Sequence, residues 1–193
     1  MSTSVLKIGV ASIKTTITEK ERDINRLVKT FLSNKNNTKK IIGLDTERVQ
    51  KGRKQNKTAL LQLCDEDNCL IVYLPSDEDD DGLPLSLFNF LNLPDFTFVG
   101  IGINNTLMKL ESEFGLTCKN AVDVGSATWN LSSNRKAADL EFLIGNINST
   151  EKPTSAVFDD WDDLLNKNQI KLAASNAYLA FGIGNVLLDG FGS

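Results

Sequence analysis

The chain has 193 residues, 41% hydrophobic and 24% charged, with 21 basic and 25 acidic side chains and a net charge of −4. That length suits a single domain over 1–193 able to bury roughly 70% of its unfolded surface, and the composition excludes a disordered chain or a disulfide-dense miniprotein. No apolar run reaches the roughly 18 residues that span a bilayer, and the absence of histidine excludes Ser-His or Cys-His catalysis and His metal ligands.

Val5 to Ile17 alternates loosely and is rich in Ile, Val and Thr, which predicts one or two strands. Thr18 followed by Glu21 is a capping-box pattern, and Ile24, Leu27, Val28, Phe31 and Leu32 then fall on one helical face. Ile41 to Asp45, Thr58 to Cys64 and Cys69 to Leu74 are short apolar runs, predicted as buried strands of an antiparallel meander. Asp77 to Asp81 reads as a solvated acidic loop. Pro84 can open a helix carrying Leu85, Leu87, Phe88 and Leu91. Phe96 to Ile103 predicts a strand, Leu107 to Phe114 a helix stopped by Gly115, and Ala121 to Val124 a short strand. Lys136 to Ile144 and Asn168 to Leu188 complete the pattern as helices. Strands that come first and then alternate with helices give an α/β fold, a mixed sheet with helices on both faces.

Three cysteines, Cys64, Cys69 and Cys118, form an odd set without a zinc spacing. Cys64 and Cys69 sit in apolar runs and read as small core residues rather than redox groups. Met1 to Val10 lacks the basic start and long apolar stretch of a secretory signal. The expectation is an intracellular protein of the cytoplasm or nucleus, without a membrane anchor.

Asp45-Thr46-Glu47 ends the first strand of the meander. Residues i and i+2 of a strand point the same way, so two carboxylates project together from the edge of an apolar sheet. Taken alone, this is either a solvated strand end or half of a site for a hard divalent cation.

The order GLDTE, ALLQLC, FVGIGI and QIKLAASNAY, at its spacing between Ile41 and Leu188, resembles the Werner-type 3′-5′ exonuclease domain of the ribonuclease H-like DEDD superfamily, in its tyrosine-bearing (DEDDy-like) form. The resemblance implies a metal-dependent nuclease fold, and its first motif matches Asp45 and Glu47. Its second motif places an Asp just after the FVGIGI-like strand, where this chain has Thr106 beside Asn104 and Asn105. Its third, Tyr-x-x-x-Asp, falls on Leu172 and Asn176. Two of the four carboxylates and the tyrosine are then absent, so the site is degenerate. Paired cations clamp the attacking and leaving oxygens in such enzymes. With half the anionic charge gone, the expectation is one weak Mg²⁺ or Mn²⁺ site at Asp45 and Glu47 and little or no hydrolysis. Asp123 is a candidate to supplement the site. Asp159, Asp160, Asp162 and Asp163 read as cap and dipole residues before the last helix.

Arg48, Lys51, Arg53, Lys54 and Lys57 lie within a run that contains no acid, directly after Glu47. They are either a soluble hairpin loop or phosphate contacts for nucleic acid, single-stranded or at a 3′ end. The alternative function is a non-catalytic oligomeric scaffold. Phe181, Gly182, Ile183, Gly184, Val186, Leu187, Leu188 and Phe191 make an apolar C-terminal stretch that is mostly core and partly a candidate homo-oligomer interface. Trp129 and Trp161 read as packing residues.

Overall fold

The computed structural model describes residues 2–49, 57–75, 82–125, 161 and 164–188. Their elements are β1 (Ser2–Ile8), β2 (Ala11–Thr18), α1 (Glu21–Ser33), β3 (Ile41–Arg48), β4 (Thr58–Cys64), β5 (Asn68–Tyr73), α2 (Leu85–Leu91), β6 (Thr97–Gly100), α3 (Ile103–Phe114), β7 (Ala121–Asp123) and α4 (Lys167–Leu187). The strands form one sheet in the order β1-β2-β5-β4-β3-β6-β7. β3, β4 and β5 make the expected antiparallel meander, while β2 with β5, β3 with β6 and β6 with β7 pair in parallel.

The near-continuous apolar runs follow from helices covering both faces of the sheet. Ile41, Leu60, Cys64, Cys69, Ile71 and Val99 pack with α4. Their alternates Ile42, Leu44, Leu61, Leu63, Leu70, Val72 and Phe98 pack with α1, α2 and α3. The two cysteine side chains face each other across the β4–β5 pair, both buried. Burial pushes the Cys64 thiol well above its ordinary pKa and the half-buried Cys118 thiol up to about 11, so both stay protonated near neutral pH. Trp161 is fully buried. Among the described residues, no helix is long and apolar enough to cross a membrane.

Two local expectations change. Thr18 does not cap α1: Lys20 holds that position, and its side chain makes no capping hydrogen bond. The Thr18 hydroxyl instead donates to Asp23 Oδ2 at 2.7 Å and accepts the Lys20 N–H. Helix α3 begins at Ile103 rather than Leu107, because Gly102, at φ 68°, turns the chain out of β6 sooner than the apolar pattern suggests. A capping box does form at α4, where Asn166 Oδ1 accepts the Gln169 N–H and Gln169 Oε1 accepts the Asn166 N–H, both at 2.9 Å. The acidic run Asp77 to Asp81, the helix Lys136 to Ile144, Asp159, Asp160, Asp162, Asp163, Trp129 and Phe191 lie outside the described residues.

Helix α4 lies unusually close to β3. A Cβ on Gly43 would overlap the Ala177 carbonyl oxygen and stand 2.7 Å from Phe181 N. At the far end of α4, the Lys39 ammonium donates to the Asn185 and Leu188 carbonyls at 2.5 and 3.0 Å, satisfying acceptors that a helix end leaves open. Gly43→Ala is expected to cost about 2–3 kcal/mol by forcing α4 off the strand. Urea denaturation measures this, and a loss under about 0.5 kcal/mol would show that α4 can shift without penalty.

Candidate functional site

Asp45 and Glu47 share the face of β3 that α4 covers, as the strand period requires. Gln62 pairs with Asp45 in the β3–β4 register and points to the same side. Asn176 comes down from α4. All four are inside the protein: Asp45 is 5% exposed, Glu47 1%, Gln62 0% and Asn176 2%.

The Glu47 carboxylate organises this cluster. Its Oε1 accepts from Gln62 Nε2 at 3.1 Å and from Asn176 Nδ2 at 3.0 Å. Gln62 Nε2 also donates to the Ala173 carbonyl at 3.1 Å, so one side chain bridges two strands and the helix. Three buried oxygens, Glu47 Oε2, Gln62 Oε1 and Asn176 Oδ1, have no hydrogen-bond partner among the described residues.

Leu172 lies one turn before Asn176 and packs against the same apolar layer. Thr106 is half-buried on α3, a helix whose apolar residues belong to the opposite layer. Asp123 does not supplement the carboxylates. Its Oδ1 accepts the Gly102 N–H at 3.1 Å and the Gly125 N–H at 2.8 Å, fixing the turn that launches α3.

Arg48 turns to the other side of the sheet from Glu47, as strand alternation demands, and the β3–β4 register shifts between these two residues. There its Nη1 meets Glu113 Oε2 at 3.3 Å and Thr58 Oγ1 at 2.6 Å. Glu113 also accepts the Thr58 N–H at 3.0 Å and the Thr58 hydroxyl at 2.8 Å. Arg48 is therefore engaged in tying the base of the hairpin to α3. Lys57, half-buried, closes that base by accepting the Val49 N–H at its carbonyl, 2.9 Å away. Lys51, Arg53 and Lys54 lie outside the described residues.

At the C-terminal stretch, Phe181, Gly182, Ile183 and Gly184 are buried, while Val186, Leu187 and Leu188 are half-buried against the same core. This stretch is chiefly core.

Sequence reasoning missed Gln62 and Glu113. For Gln62 the signal was present: a lone amide within a fully buried strand needs a polar partner. Glu113 gave no such signal, being one acid among several on an ordinary helix.

Hard divalent cations want several oxygen ligands with compensating negative charge. Among the described residues, no group of three His, Cys, Asp or Glu side chains could hold a metal ion. One oxygen of Glu47 is already taken by two N–H donors. The described residues do not fit a pair of cations.

Residues 18–189 match the 3′-5′ exonuclease family. A 3′-5′ exonuclease of Arabidopsis thaliana is 27% identical over 162 residues, covering 77% of this chain and 52% of that protein. The chain thus spans about half the length of the curated relative it matches. The Nibbler EXO domain of Aedes aegypti superposes with a TM-score of 0.64 at 14% identity, over 90% of this chain and 86% of that one. The EXD2 exonuclease domain, in a crystal soaked in Mn and dGMP, gives 0.52 at 21% identity, over 92% and 90%. Both structures are similar to this chain in fold.

Glu113→Ala is expected to cost about 1–2 kcal/mol, since the Thr58 N–H and the Arg48 guanidinium lose a shared, partly buried acceptor. Chemical denaturation reads this directly, and an unchanged midpoint would mean that water replaces the carboxylate at no cost.

Proposed function

The chain belongs to the 3′-5′ exonuclease family, and from that premise we propose that it is a nucleic-acid-binding member whose hydrolytic activity is much reduced or lost. The observation that carries this reading is the bond from Asn176 Nδ2 to Glu47 Oε1. At the position where the resemblance implies a metal-binding carboxylate, this chain directs an N–H donor at its neighbour. Thr106 and Leu172 stand at the positions of the other carboxylate and the tyrosine. A tyrosine hydroxyl can orient or help deprotonate the attacking water, and a leucine side chain can do neither. A cation pair neutralises charge on the attacking and leaving oxygens in two-metal enzymes, and the carboxylates retained here fall short of holding such a pair. Asp45 and Glu47 Oε2 are the groups left to hold one Mg²⁺ or Mn²⁺, weakly.

The substrate class in this reading is nucleic acid, single-stranded or at a 3′ end, held through phosphates by Lys51, Arg53, Lys54 and Lys57. Arg48 contributes less than its position in the basic run suggests, because its guanidinium is engaged with Glu113 and Thr58. The family membership supports the substrate class, and the basic run supports the mode of contact.

Labelled single-stranded and recessed-end DNA and RNA, incubated with the pure chain and Mn²⁺, should remain full length. Stepwise shortening that vanishes in Asp45→Ala would overturn the loss of activity. Binding should weaken steeply with salt. Replacing Lys51, Arg53 and Lys54 together by alanine should flatten the log–log salt slope by about 0.7 for each phosphate these side chains neutralise. A filter-binding titration checks it, and a triple variant with the parent's affinity and slope would remove these residues from the interface.

A further inference from the structure

The cluster on β3, β4 and α4 has a property that a cation centre would avoid: donors converge on its carboxylate. An ionised carboxylate accepts and cannot donate, so amide nitrogens, not amide oxygens, must face it. Gln62 reaches Glu47 Oε1 from β4 and Asn176 reaches the same atom from α4. The Ala173 carbonyl takes a further bond from Gln62 on the helix itself. For a cation to occupy Oε1, both amides would have to rotate away and these bonds would break.

We propose that Gln62, Glu47 and Asn176 form a cation-independent lock that seats α4 on the sheet. It rests on this geometry and not on whether the chain binds or cuts nucleic acid. Asn176 and Gln62 are positioning residues: they fix the helix through Glu47. Because the amide of Asn176 supplies a donor, the fold needs no divalent metal. Exchanging that amide for a carboxylate would set two acids against each other in a dry interior, with Gln62 the remaining donor to Glu47. The unpartnered oxygens Glu47 Oε2 and Gln62 Oε1 would then join the new carboxylate as ready ligands. Asn176→Asp therefore turns a metal-independent lock into a metal-dependent one.

Thermal unfolding of the full chain in EDTA and in 1 mM MnCl₂ tests this, with no nucleic acid present, so its outcome is separate from that of the nuclease assay. The parent midpoint should agree between the two buffers within about 2 °C, the allowance for one weak site. Asn176→Asp should melt at least about 5 °C lower than the parent in EDTA and recover half or more of that loss with Mn²⁺. Asn176→Ala, which leaves the carboxylate short of a donor, should melt lower in both buffers and show no recovery. A parent midpoint that rises by more than about 5 °C with Mn²⁺ would overturn the proposal. So would an Asn176→Asp or Asn176→Ala protein that matches the parent in EDTA. Should Asn176→Asp fail to fold in either buffer, the parent and the alanine variant decide the matter by the same criteria.

Discussion

Helix α4 reaches the Glu47 carboxylate because strand β3 presents no side chain at Gly43. Any Cβ there would collide with the Ala177 carbonyl oxygen, and it would crowd Phe181 N as well. The same device recurs where Gly184 of α4 meets the Val99 side chain on β6, 2.8 Å from where a Cβ would stand. Two glycines on opposite partners thus let helix and sheet approach within the reach of an asparagine side chain. With α4 further out, Asn176 would not meet Glu47, and a buried acid would be left with one amide donor in place of two. The close seating and the polar cluster depend on each other: backbone contact gives the proximity, and the hydrogen bonds fix the register.

Much of this layered architecture can be read from the residues. Ile41, Ile42, Leu60, Leu61, Leu70 and Ile71 are apolar at odd and even positions alike, which requires helices on both faces. The carboxylate pair was equally legible, because strand parity alone puts Asp45 and Glu47 on one side. The same parity puts Arg48 on the other, although its place in a basic run suggests a partner for those acids. Bonds spanning long stretches of sequence were not legible. Gln62 and Ala173 are 111 residues apart, and Thr58 and Glu113 are 55 apart. Local signals also compete. Thr18 carries the hydroxyl of a cap, yet β2 claims the residue and its hydroxyl turns to Asp23 instead. The Asn-x-x-Gln start of α4 fits the capping rule equally well and is the one that forms.

Charge, more than shape, distinguishes an asparagine from an aspartate at the Glu47 carboxylate. Asparagine and aspartate occupy nearly the same volume, and either would fit beneath α4. What changes is the sign of the partial charge facing Glu47. An N–H stabilises the carboxylate directly, whereas an oxygen requires a proton or a cation between the two. In the reading proposed above, a chain can therefore keep the fold of the 3′-5′ exonuclease family while the electrostatics at its centre favour an amide donor over an ion.

An asparagine codon becomes an aspartate codon by one base change. The parent state is thus genetically adjacent to one in which, under the lock proposed above, two carboxylates face each other beneath α4. Under that proposal, drift at this codon is checked by the stability of the fold as well as by any selection on activity.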